Sequence, residues 1–198
     1  MPELMNAPLA RRIQRRCAAL RRTAARSSTL AIAALLASAC ATSRPSLPAP
    51  FATAELHTAD GRAVGTATLR KVDNAIQLDL DVTGIPDGTH GLHFHTVGKC
   101  DAPDFATAGG HLNPGATKHG VQNPQGPHAG DLPNLVVADG RSRGWTARTL
   151  RVVADTTRGG LFDADGTALV IHANRDDEAT DPSGNSGARI ACGVIRRM

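Results

Sequence analysis

Residues 75–82, AIQLDLDV, alternate apolar and polar positions without a break, so Ile76, Leu78, Leu80 and Val82 share one face of an extended chain. Shorter runs of the same kind predict strands over residues 63–72, 91–96, 134–138, 147–153, 168–172 and 189–195. Turn signals separate them: Ala-Asp-Gly at 59–61 and again at 138–140, Pro86-Asp87-Gly88, and Asp163-Ala-Asp-Gly166. No long stretch carries the 3.6-residue period of an amphipathic helix. About eight short strands with this spacing predict an all-β domain, an antiparallel sandwich or barrel.

Two segments interrupt the rhythm. Residues 97–131 are rich in Gly, Pro, His and Asp and show no strand pattern. Residues 173–188, ANRDDEATDPSGNSGA, form a second polar loop. Loops of this length are uncommon in a compact domain unless they carry function.

The first forty residues follow different rules. Seven arginines lie between positions 11 and 26 with no acid among them, and the apolar run Leu30-Ala-Ile-Ala-Ala-Leu-Leu-Ala-Ser-Ala39 follows. A basic segment, a short hydrophobic run and small residues predict a secretory signal over residues 1–39; the run is too short for a comfortable membrane span. Two cleavage readings stay open. Ala37-Ser38-Ala39 fits ordinary A-x-A processing, while Leu36-Ala37-Ser38-Ala39-Cys40 resembles a bacterial lipobox that would place a lipid on Cys40. Residues 40–51 then read as a Pro- and Ser-rich tether and residues 52–198 as the folded domain. The expected location is therefore the periplasm, free or held to the membrane by that lipid anchor.

The signal also changes the charge. The chain has 22 basic and 18 acidic residues, net +4; without the seven arginines and Glu3 the counts become 15 and 17, net −2. The basic balance thus belongs to the targeting segment and gives no argument for nucleic acid as a partner. Of four cysteines, Cys17 leaves with the signal. Cys100 and Cys192 can pair in an oxidising compartment or remain two buried thiols, and Cys40 is left odd, as lipidation predicts.

Six of the eight histidines fall at His93, His95, His111, His119, His128 and His172. On a strand, His93 and His95 share one face while Leu92 and Phe94 share the other. His111, His119 and His128 lie in the long loop, with Asp131 three residues after the last. Imidazole is the commonest ligand for copper and zinc, and a carboxylate suits zinc, so this set can supply one or two metal sites.

Gly91-Leu-His-Phe-His95 resembles the copper-binding strand of copper–zinc superoxide dismutases. Ala108-Gly-Gly-His-Leu-Asn-Pro114, Lys118-His-Gly120, His128-Ala-Gly-Asp-Leu132, Leu169-Val-Ile-His172 and Ala188-Arg-Ile-Ala-Cys-Gly-Val194 follow in the family's order, and the resemblance covers roughly residues 52–195. The resemblance implies an eight-stranded Greek-key β-sandwich or flattened barrel with a long metal-binding loop and a second, electrostatic loop. It implies copper ligands at His93, His95, His111 and His172 and zinc ligands at His111, His119, His128 and Asp131, with His111 bridging. It also implies that Asp176 links His93 to His119, that Cys100 and Cys192 form a disulfide, and that Arg189 attracts and orients the superoxide anion. His57 and His90 match no ligand position and are read as surface or turn residues, and Lys118 as a solvated one. The loop over residues 178–186 lacks the lysines of many eukaryotic relatives, which leaves anion steering to Arg189 and Lys99.

The implied function is dismutation of two superoxide anions to dioxygen and hydrogen peroxide, with Arg189 and His111 at the reacting centre, protecting the cell envelope. The competing reading is a non-enzymatic periplasmic copper- or zinc-binding module on the same fold. Members of the family occur as monomers and as homodimers, and the sequence leaves that choice open.

Overall fold

The computed structural model describes residues 47–198. The expected signal, its cleavage site and Cys40 lie outside the described residues. Among the described residues ten strands run in order: β1 (Ala52–His57), β2 (Ala63–Val72), β3 (Ala75–Thr83), β4 (Gly88–His90), β5 (Leu92–His95), β6 (Leu135–Val137), β7 (Arg141–Thr149), β8 (Ala168–His172), β9 (Arg189–Val194) and β10 (Arg196–Arg197). One 3₁₀ turn, Ala106–Ala108, lies in the long loop.

All pairings are antiparallel. The main sheet has the order β5-β8-β9-β1-β2-β3-β7 with β10 also on β1, and β4 with β6 makes a separate ribbon. The long connections that return β7 beside β3 and β9 beside β1 make this a Greek-key arrangement. Leu56, Leu69, Leu78 and Leu80 from β1–β3 share one buried cluster with Leu92, Phe94, Leu169 and Ile171 from β5 and β8. Strands distant in the sheet order can reach a common cluster only if the sheet folds over on itself, giving two layers around one core. Each such side chain contributes about 1.5–3 kcal/mol by leaving water.

The expected strands over residues 63–72 and 168–172 match β2 and β8, and residues 75–82 fall within β3. The strand expected over residues 147–153 is displaced: β7 ends at Thr149. Its first half, Arg-Ser-Arg-Gly, offers no alternation because β7 is buried only at Ala147 and Thr149, so its earlier positions need no apolar residues. β1 escaped the pattern because two of its three inward positions, Ala52 and Ala54, are small.

Cys100 and Cys192 are disulfide-bonded across 92 residues of sequence. In the chain-entropy picture, closing a loop of that length is worth about 4–5 kcal/mol. The bond ties the long loop to β9 and is itself part of a second buried cluster, formed by Phe105, Ala108, Ala168, Val170 and Cys192 with Cys100 packed against it.

Candidate metal centre

β5 has one edge on β8, with His93 opposite Val170 and His95 opposite Ala168. Its other edge is covered by the long loop, which folds back on it. Leu112 N–H bonds Phe94 O (2.8 Å), Phe94 N–H bonds Gly130 O (2.9 Å) and Thr96 N–H bonds Gly110 O (2.9 Å). This closes an exposed strand edge and sets His111 opposite His95 and Asp131 opposite His93. Gly130 is required by this approach, since a Cβ there would stand 2.4 Å from Phe94 O.

The partners of the rings determine their tautomers. His95 Nδ1 lies 2.9 Å from Gly109 O and His172 Nδ1 lies 3.0 Å from Gly187 O. A carbonyl only accepts, so both Nδ1 atoms carry the proton and both Nε2 atoms keep a lone pair. Those two Nε2 atoms are 3.4 Å apart, acceptor facing acceptor. His93 Nε2 donates to Asp176 Oδ2 at 2.7 Å, leaving its buried Nδ1 lone pair with no partner. Donor atoms of His93, His95, His111 and His172 all lie within 4.8 Å of one another. Burial holds the His93 pKa at about 3 against the pull of Asp176, and holds that of His172 at about 4 against the pull of Gly187 O. It also holds His95 well below its ordinary value. These rings are neutral, and their lone pairs converge on one point, an arrangement suited to a metal cation.

A second convergence lies on the far side of His111. Asp131 Oδ1 is 3.0 Å from His111 Nδ1, 3.1 Å from His119 Nδ1 and 3.2 Å from His128 Nδ1, and the Nδ1 atoms of His111 and His128 are 3.3 Å apart. Metal–ligand bonds of ~2.0–2.1 Å in a tetrahedron give ligand–ligand edges of ~3.3–3.4 Å. The four atoms come close to that figure. Asp131 Oδ2 is engaged by the N–H groups of Gly120 and His128, both at 2.9 Å, which aims Oδ1 inwards. Burial works against charge on His119, but bonds to Asp131 and Asp176 outweigh it and raise its pKa to about 9. Burial also works to raise the Asp131 pKa, and bonds from His111, His119 and Gly120 drive it well below the carboxylate range instead. Positive charge is demanded between these groups, and a proton or a metal ion can supply it. The group His93, His111, His119 and Asp131 also lies within 4.8 Å. With His93 Nε2 engaged by Asp176, His128 is the better-placed fourth donor for this position.

Asp176 stands behind both groups. Its Oδ2 accepts from His93 Nε2 and its Oδ1 from His119 Nε2 at 2.9 Å. Arg189 is half-buried; its Nη1 and Nη2 donate to Phe105 O (2.5 Å) and Gly109 O (2.6 Å). Gly109 O therefore receives both Arg189 and His95, which fixes the guanidinium relative to the His95 ring. Lys118 is exposed but pairs with Asp181 Oδ2 at 3.0 Å, while Asp181 Oδ1 accepts His119 N–H at 2.8 Å.

His90 departs from its expected surface or turn position. It is buried in β4, with Nδ1 2.8 Å from His172 O and Nε2 2.9 Å from Pro86 O. The ring links the β3–β4 connection to the end of β8. Its position beside the turn signal Pro86-Asp87-Gly88 concealed this, because both partners are main-chain carbonyls supplied by the fold. His57 is half-buried in β1, opposite Cys192 of β9.

The family described as "Copper/zinc superoxide dismutase (SODC)" matches residues 63–195, more than half of the chain. The chain is 42% identical over 138 residues to "Superoxide dismutase [Cu-Zn] 1" of Aquifex aeolicus, covering 69% of this chain and 82% of that protein. It is 41% identical over 151 residues to "Superoxide dismutase [Cu-Zn]" of Caulobacter vibrioides, covering 73% and 85%. Among solved structures, a double mutant of a SOD-like protein from Bacillus subtilis superposes with a TM-score of 0.68 at 40% identity, covering 72% of this chain and 95% of that one. The order of motifs, the Greek-key sheet and the paired histidine groups accord with these similarities: the chain belongs to the copper/zinc superoxide dismutase family and is an oxidoreductase acting on superoxide.

Proposed function

We propose that His93, His95, His111 and His172 hold copper and that His111, His119, His128 and Asp131 hold zinc. The observation that carries this is the position of His111 between two groups of converging donor atoms, each compact enough to hold one ion. Its Nδ1 faces Asp131, leaving Nε2 for the first group. Copper supplies the one-electron change that the reaction needs, and zinc supplies charge without redox chemistry. The chain's own residues do the rest. Arg189, locked by two carbonyls, presents a fixed positive charge to an approaching anion beside His95 and His172. His111 Nε2 is the ring nitrogen placed to hold a proton between the two half-reactions and deliver it to the reduced product. Asp176 keeps the Nε2 protons of His93 and His119 in place, so each ring offers Nδ1 inwards.

Bacterial relatives and the Cys100–Cys192 bond are consistent with an exported protein. We place it in the periplasm, cleaved after residue 39, with a lipid on Cys40 as the membrane attachment. Protection of the envelope against superoxide follows from that placement. The experiment is twofold. Protein loaded with one copper and one zinc per chain dismutates superoxide; full metal content without activity overturns the site assignment. Intact mass of the mature chain shows an acylated Cys40; an unmodified N-terminus at Cys40 or beyond overturns the anchor.

A further inference from the structure

We infer that Asn134 is a positioning residue for the metal centre: its side-chain amide grips the main chain of Asp176 and so sets the carboxylate that holds His93 and His119. The inference rests on the two-site reading above. Asp176 lies in the polar loop between β8 and β9, outside any strand, yet it must hold two rings at once. Asn134 Oδ1 accepts Asp176 N–H at 2.8 Å and Asn134 Nδ2 donates to Asp176 O at 3.0 Å. The amide thus does for Asp176 what a neighbouring strand does for a sheet residue. The second Nδ2 proton reaches Glu178 Oε1 at 3.3 Å, which uses the amide's full donor capacity.

Asn134 is itself held. It lies three residues after Asp131 and immediately before β6, and its carbonyl accepts Trp145 Nε1–H at 3.2 Å. Trp145 belongs to β7 and packs against the core. A continuous line runs from the sheet through Trp145 and Asn134 to Asp176, and from there to one ring of each site. Asn is suited to the position because its carboxamide sets an acceptor and a donor side by side, matching the N–H and the C=O of one residue. The isosteric Asn134→Asp keeps the acceptor, loses both donors and places a negative charge beside Asp176 and Glu178.

Groups that orient metal ligands typically change metal affinity 10–100-fold when removed. We expect Asn134→Asp to weaken zinc by about that factor in chelator competition, and to alter the visible absorption of cobalt placed in the zinc position. The double variant Asn134→Asp/Asp176→Asn should bind zinc no more weakly than Asp176→Asn alone, because both act through one carboxylate. Trp145 is the chain's single Trp and Tyr is absent, so emission excited at 295 nm reports folding at this point for the Asn134 and Asp176 variants, and far-UV circular dichroism reports it for a Trp145 variant. If Asn134→Asp does not fold, Trp145→Phe tests the same line with a smaller loss of zinc affinity. Unchanged zinc affinity with only a lower melting temperature of the metal-free protein would overturn the inference, as would additive losses in the double variant. Failure of the unmodified protein to bind zinc would instead overturn the two-site reading itself.

Discussion

Gly184→Ala and Gly140→Ala form a controlled pair. Both glycines have positive φ, +62° and +67°, where an alanine costs about 1–2 kcal/mol whatever surrounds it. At Gly140, in the turn between β6 and β7, nothing lies within 4 Å of the added Cβ. At Gly184 the Cβ would stand 1.8 Å from Asp176 Oδ1 and 2.6 Å from His119 Nε2. An ordinary carbon–oxygen contact is ~3.3 Å, so the carboxylate or the loop must move by ~1.5 Å. A shift of that size exceeds what the 2.7 and 2.9 Å bonds to His93 and His119 can absorb. Each is a bond to a charged group, worth about 1.5–3 kcal/mol. Gly184→Ala should therefore cost about 4–8 kcal/mol against about 1–2 for Gly140→Ala. The loop over residues 173–188 can also lift away instead, so zinc affinity is the primary readout and thermal unfolding the second. Gly184→Ala is expected to weaken zinc about 10–100-fold and Gly140→Ala to leave it unchanged. Equal zinc affinity for the two variants would refute the claim that Asp176 must sit where it does.

Other perturbations separate the parts of the centre. His172→Ala should abolish copper binding and activity while zinc is largely kept, read by metal analysis after dialysis; equal loss of both metals would show that the two-site division is wrong. Arg189→Ala should lower kcat/KM about 10-fold at unchanged metal content and flatten its dependence on salt, measured by rapid kinetics at several ionic strengths; an unchanged salt slope would remove Arg189 from steering. In the metal-stripped protein, His93 and His172 have folded pKa values of about 3 and 4, below the ordinary 6.5. Their contribution is full above pH 6.5 and is lost as pH falls through 4 and 3, joined there by Asp131 and Asp176, whose values are also lowered. His119, raised to about 9, contributes below pH 6.5 and loses that contribution as pH rises through 9. The melting temperature of the stripped protein should thus peak near neutrality, and a midpoint that does not fall between pH 6.5 and pH 4 would refute these assignments.

The strands that the sequence exposed are those with large inward residues on alternate positions, such as β3 with Leu78 and Leu80. β1, which buries two alanines, and the polar start of β7 left no such trace. At the site, the six histidines and Asp131 were legible because their number and order are improbable for solvated side chains. Asp176 was recognisable only through the family resemblance, since three acids stand together at 176–178 and only one, Asp176, is buried. His90 and Asn134 were not legible at all. Their partners are main-chain groups of Pro86, His172 and Asp176, and which peptide unit a side chain reaches depends on the folded path rather than on residue type.

The antiparallel register of β5 against β8 has a consequence for how the chain matures. Leu92 and Phe94 face the core with Leu169 and Ile171, while His93 and His95 share the opposite face with Ala168, Val170 and His172. A slip of β5 by one residue would turn both histidines into the hydrocarbon interior and both large apolar residues outwards. Only the correct alignment assembles three imidazoles around one point, so if they hold an ion as proposed, chelation would act as proofreading of strand alignment. Molecules with the wrong pairing would then gain nothing from the ion, whereas correctly aligned ones would be withdrawn from the unfolding equilibrium as they load. Metal supply would then govern the yield of well-folded protein as well as its activity.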